Sequence, residues 1–161
     1  MKKTLSHYGQ AGEVRMVDVG EKPDTTRTAR ARAFVTMRPS VLRQLAGNPK
    51  GNPLEIARIA GISAAKRTSD LIPLCHPLLL SHVDVEAAVR ARGIEITTSV
   101  SSTGPTGVEM EAITAAAVAA LTVYDMTKAL DKGIEIREIV LLEKTGGKSG
   151  SYRRATSGRK K

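Results

Sequence analysis

Cysteine is nearly absent: Cys75 stands alone in 161 residues, so no disulfide can form within the chain. Small secreted domains usually depend on such bridges, which makes the reducing cytoplasm the expected compartment. Aromatic side chains are equally scarce, with one Phe, three Tyr and no Trp. Readers of single-stranded RNA stack bases on sheet aromatics. Only Phe34 falls in a predicted strand, so an RNA-reading module is disfavoured despite a pI near 10.0. No long apolar run exists either. The longest nearly apolar stretch, residues 112–124, is shorter than the ~20 residues a bilayer crossing needs. Residues 1–10 are charged and then polar, without the apolar core of a signal peptide. Neither export nor a membrane span is expected. Acids are missing from residue 144 onward, where seven cations accumulate and leave a net charge of only +2 for the preceding chain. The folded body is therefore nearly balanced, which argues against nucleic acid as a partner.

The whole chain is 41% hydrophobic, the make-up of one globular domain. We expect a single domain over residues 1–150 and a basic, flexible tail over 151–161. Met16-Val17-Asp18-Val19 reads as a short strand and residues 26–37 as a second, with Glu21-Lys22-Pro23-Asp24 the turn between them. Pro39 and Gly47 bracket a short helix over 40–46. Asn52 caps the next helix, Pro53 occupies its first position, and Glu55 stands where a capping box places an acid. This helix is expected to reach about Thr68, because Pro73 and Pro77 forbid continuation. Val83, Val85, Ala87 and Val89 alternate with more polar neighbours, and Arg90-Ala91-Arg92-Gly93 turns the chain into a second strand over 94–100. The turn Thr103-Gly104-Pro105-Thr106-Gly107 opens an alanine-rich helix over 108–131, closed by Gly133. A strand over 134–142 ends the pattern. The order predicts an α+β two-layer sandwich with helices on one face of an antiparallel sheet.

The densest set of chemically capable residues runs from Lys66 to Pro77. Two prolines stiffen the loop that presents His76, a residue type that exchanges protons near neutrality, and the cations Lys66 and Arg67 suit phosphate. A helix end with a structurally hydrogen-bonded histidine is the commoner outcome of such spacing. Zinc is disfavoured, since no pair among Cys75, His7, His76 and His82 has standard ligand spacing. Asp125 and Lys128 share a helix face; exposed, they form a minor ion pair, whereas burial would bring the lysine toward neutrality and make it a proton shuttle. Glu109 and Glu111 favour the helix dipole. Gly146-Gly147-Lys148-Ser149 resembles a P-loop ending but lacks the earlier glycine and a following helix. Lys50 precedes the Asn52 cap, where it can meet an anion.

Five segments together carry a more specific signal. They are Met16-Val17-Asp18-Val19, the run from Ala57 through Lys66-Arg67-Thr68 to Cys75-His76-Pro77-Leu78, Thr106-Gly107-Val108-Glu109-Met110-Glu111-Ala112, Leu121-Thr122-Val123-Tyr124-Asp125-Met126, and Leu141 to Gly150. This ordered set resembles the molybdenum cofactor biosynthesis protein C family. The resemblance implies conversion of 3′,8-cyclised dihydro-GTP into cyclic pyranopterin monophosphate with loss of pyrophosphate, without metal or organic cofactor. It further implies a ferredoxin-like subunit, a homohexamer built as a trimer of dimers with its active site between subunits, and a radical enzyme that cyclises GTP as the functional partner. Carried over by position, it implies that Asp125 is catalytic, that Lys128 and Lys50 transfer protons, that Leu74, Cys75, His76, Met110 and Glu111 line the substrate site, and that Lys66 contacts phosphate. Asn52, Pro105 and Thr127 depart from the family pattern, which usually has Asp, Lys and Cys there.

Overall fold

A computed structural model describes residues 7–9 and 11–155. Strand β1 (Thr25–Thr36) leads through a single turn, α1 (Pro39–Leu42), and a 3-10 turn (Leu45–Gly47) into α2 (Pro53–Ala65). After the short α3 (Thr68–Leu71), β2 (Leu80–Arg90) and β3 (Gly93–Gly104) form the predicted hairpin. Helix α4 (Glu109–Thr127), β4 (Glu135–Thr145) and a two-residue β5 (Tyr152–Arg153) follow. The sheet order is β2-β3-β1-β4-β5 and every pairing is antiparallel. Each long helix thus joins two strands that flank a third, the split βαβ arrangement of a ferredoxin-like α+β fold.

Alternation decides which face is covered. Ala29, Ala31, Ala33 and Val35 of β1 and Ile94, Ile96, Thr98 and Val100 of β3 are fully buried beneath the helices. The helices answer with small residues, including Ala57, Gly61, Ala112, Ala115, Ala116 and Ala119. A Cβ at Gly61 would lie 3.0 Å from the Ala115 carbonyl oxygen and 3.1 Å from a Val85 methyl, so α2, α4 and β2 meet there without slack. Overpacking such a contact costs about 1–3 kcal/mol. Gly61→Val is expected to lower unfolding stability by at least the middle of that range in a denaturant titration, while Ser63→Ala, on the outer face of α2, leaves it unchanged.

Several boundaries differ from expectation for local reasons. Residues 16–19 belong to no strand or helix. Asn52 caps α2 by accepting from the Leu54 and Glu55 amides, yet the Glu55 carboxylate pairs with Arg58 rather than returning to the cap. Helix α2 stops at Ala65, where the Thr68 hydroxyl donates to the Ala64 and Ala65 carbonyls, at 3.4 and 3.0 Å, and Arg67 turns the chain. Helix α4 ends at Thr127, short of Asp131. The Asn48 amide donates 2.8 Å to the Met126 carbonyl, satisfying one of the helix's orphan acceptors from outside, and Gly133 lies beyond the helix instead of capping it. Beyond Gly150, Tyr152 and Arg153 pair with Lys144 and Glu143; residues 156–161 lie outside the described set.

Candidate active site

After α3 the chain makes a turn at Pro73-Leu74, closed by the Cys75 amide donating to the Ile72 carbonyl at 3.0 Å, and Leu74, Cys75 and His76 line the same cavity as Met110 and Glu111 in the first turn of α4. A cavity of about 320 Å³ lies between them, lined by these three residues, Met110 and Glu111, and by His7, Val17 and Val19 of the N-terminal arm. His76 Nε2 is 2.8 Å from the Val17 carbonyl. A carbonyl only accepts, so Nε2 carries the proton and Nδ1 is left as the ring's acceptor. The histidine is thus structurally bonded and still has one nitrogen to offer.

Glu111 is the unusual member of this cavity. It is only 4% exposed, and its Oε2 has no hydrogen-bond partner among the described residues. Burial pushes its carboxyl up to about 7, and the Glu109 carboxylate adds to the shift against the opposing pull of Glu111's own amide. Burial, and then the charge of Glu111, also raise the Cys75 thiol. A carboxyl that titrates near neutrality can both take and give a proton.

A second cavity of about 560 Å³ adjoins the first, sharing Lys22, Thr106, Gly107 and Glu109. Its lining is lopsided in charge: Lys22, Arg27, Lys144 and Lys148 against Glu109 alone. Gly146 and Gly147 form its far wall with φ of 89° and 77°, and a Cβ on Gly146 would come within 2.3 Å of the Thr26 carbonyl. Such a cationic, glycine-walled recess suits phosphate groups. Sequence reasoning did not single out Lys22, Arg27 or Lys144 as site residues. For Arg27 the signal was present, because an arginine in register with Ala29, Ala31 and Ala33 sits on the buried parity of β1.

The remaining expected residues lie elsewhere. Lys66 is exposed at the end of α2 and lines a separate surface recess that meets the first cavity at Leu78. Asp125, Lys128 and Lys50 gather at the opposite end of α4. Lys128 Nζ is 2.6 Å from Asp125 Oδ1. The Lys50 amide donates to Asn48 Oδ1, whose side chain also holds the α4 terminus. Hydrogen bonding and charge from Lys128, with Lys50 further off, hold Asp125 below the usual carboxylate range. Lys128 is raised in turn by Asp125. Both side chains are exposed, so the burial that would bring Lys128 toward neutrality is lacking within one chain. At 1.5 Å per residue, Glu111 and Asp125 are ~21 Å apart along the helix. Within one chain the expected residues therefore fall into two clusters, one at each end of α4. No helix among the described residues is long and apolar enough to cross a membrane, and no group of three or more His, Cys, Asp or Glu among them is arranged to hold a metal.

A family model described as the MoaC family matches residues 16–147, most of the chain and both ends of α4. The chain belongs to the MoaC family. Curated MoaC-type relatives align almost end to end. A protein of Methylobacterium sp. strain 4-46 is 58% identical over 153 residues, covering 92% of this chain and 96% of its own. Another, of Novosphingobium aromaticivorans, is 58% identical over 153 residues, covering 94% and 98%. A third, of Parvibaculum lavamentivorans, is 53% identical over 155 residues, covering 94% and 97%. Each is named cyclic pyranopterin monophosphate synthase.

Proposed function

We propose that this MoaC-family chain is a cyclic pyranopterin monophosphate synthase, a lyase of molybdenum cofactor biosynthesis that converts 3′,8-cyclised dihydro-GTP to the cyclic monophosphate and pyrophosphate. The observation that supports this reading best is the two-part cleft: a titratable cavity around Cys75, His76 and Glu111 opens directly into a cationic one. The purine-derived rings fit the first, and the triphosphate fits the second. Forming a cyclic monophosphate requires a hydroxyl of the substrate to attack the α-phosphorus. Its proton passes to a base as the bond to pyrophosphate breaks, and cations stabilise the charge gathering on the leaving group.

The half-sites at the two ends of α4 favour an active site completed by a second copy, whose Lys50, Asp125 and Lys128 meet the cleft of the first. Enclosed there, Lys128 loses solvent and gains cationic neighbours, and both changes lower its pKa. A closed homohexamer, a trimer of dimers, provides that juxtaposition at every site. In this reading the substrate comes from a radical GTP cyclase, Lys66 contacts the phosphates from the rim, and the enzyme works in the cytoplasm. Incubation of the full chain with 3′,8-cyclised dihydro-GTP is expected to release one pyrophosphate per cyclic product. Binding of the nucleotide without pyrophosphate release would reduce the chain to a non-catalytic nucleotide-binding relative.

A further inference from the structure

We propose that Ser149 and Gly147, both uncharged, are positioning residues that hold Lys144 and Arg27 toward the cationic half of the cleft as a preformed seat for a pyrophosphate-like polyanion. The inference rests on the phosphate assignment made above and names what makes that half specific. Lys144 stands at the end of β4, and its Nζ donates to Ser149 Oγ at 2.5 Å and to the Gly150 carbonyl at 2.6 Å. An ammonium has three protons, so two such bonds fix its direction and leave the third for an anion. A lysine stem held this way loses less freedom on binding than a loose one.

Arg27 is fixed by a different device. Its Nη2 donates to the Pro105 carbonyl at 3.3 Å, and its Nη1 occupies the space a Cβ on Gly147 would need, 1.8 Å from that position. Only glycine leaves room for the guanidinium there. The buried Nε of Arg27 has no partner among the described residues. The loop that arranges both cations is closed by β5: Tyr152 and Arg153 pair back onto β4, the Arg154 amide donates to the Leu142 carbonyl at 2.7 Å, and the Gly150 amide donates to the Gly147 carbonyl at 3.0 Å. Glu109, the one acid lining this cavity, folds its carboxylate over Gly107, where an added Cβ would lie 1.9 Å from Oε2.

Calorimetric titration of the full chain with inorganic pyrophosphate tests the assignment. Wild-type protein is expected to bind, Ser149→Ala to bind about tenfold more weakly, and Ser149→Thr, which keeps the hydroxyl, to stay within about twofold. In steady-state turnover Ser149→Ala is expected to raise KM about tenfold with kcat within about twofold and Tm unchanged. Gly147→Ala is expected to weaken pyrophosphate binding in the wild-type background and to weaken it less alongside Arg27→Ala, since the part acting through that guanidinium is then gone and only the strain of an alanine at φ 77° remains. Wild-type affinity in Ser149→Ala, or a joint fall of Tm and kcat with KM unmoved, would overturn the positioning role while leaving the phosphate assignment intact. Failure of wild-type protein to bind pyrophosphate at all would overturn both.

Discussion

Lys128→Ala and His76→Ala chains, each nearly inactive alone, are expected to recover about a quarter of wild-type pyrophosphate release when unfolded together and reassembled in equal amounts. Each residue exchanges protons in a step with several such transfers, so each single loss should cost 10²–10⁴-fold in kcat. The recovery follows from where the residues sit. His76 lies beside the N-terminal end of α4 and Lys128 just past its C-terminal end, so the proposed site draws them from two different copies. If each site takes one end from each of two copies, random mixing gives about a quarter of sites both intact halves. Lys50→Ala is expected to complement His76→Ala in the same way and not to complement Lys128→Ala, since those two lie in one half-site. Mixtures no more active than their components would exclude a shared site.

Glu111→Gln has the next largest expected effect, and it shows in two measurements with opposite signs. Activity should fall about 100-fold at neutral pH, because glutamine cannot exchange a proton. Stability should rise. The folded carboxyl is pushed up to about 7 from an ordinary value of 4.5, so between those values the folded chain keeps a proton that the unfolded chain has released. Folding stability therefore falls as pH climbs through that window, and the deficit is complete above it. Glutamine removes the slope. In dilute protein the variant's Tm should match wild type near pH 4.5 and exceed it by roughly 3 °C at pH 8. Parallel melting curves of the two proteins across that range would mean that Glu111 is not the strained acid described here.

The sequence exposed the fold through features whose physics is local. Asn52-Pro53 announced the start of α2, alternation in residues 26–37 and 83–100 marked three strands, and the alanines of α4 marked a close helix contact. It misled where the deciding partner is remote. The end of α4 depends on Asn48, far back in the chain, and β5 depends on Lys144 and Glu143 being in reach. The site divides in the same way. Cys75, His76, Met110 and Glu111, named by family likeness, do share one cavity. Lys22, Arg27 and Lys144 escaped notice as a set because only folding brings the start of β1 against the end of β4. The separation of Glu111 from Asp125 and Lys128 was implicit in the linear order, since one predicted helix over 108–131 holds positions 111 and 125 ~21 Å apart.

In the proposed shared site α4 carries a functional group at each end, and it would also act as a ruler. Inserting one alanine at its middle would swing Asp125 about 100° around the axis relative to Glu111 and push it 1.5 Å further away. Four inserted residues would nearly restore the angle but lengthen the span by about 6 Å. In the proposed closed hexamer every copy would both give and receive, so a single misfit in pitch would recur at all sites at once. In the proposed assembly the distance between Glu111 and Asp125 is then a fixed dimension of every site, even though neither residue need touch the other within its own chain.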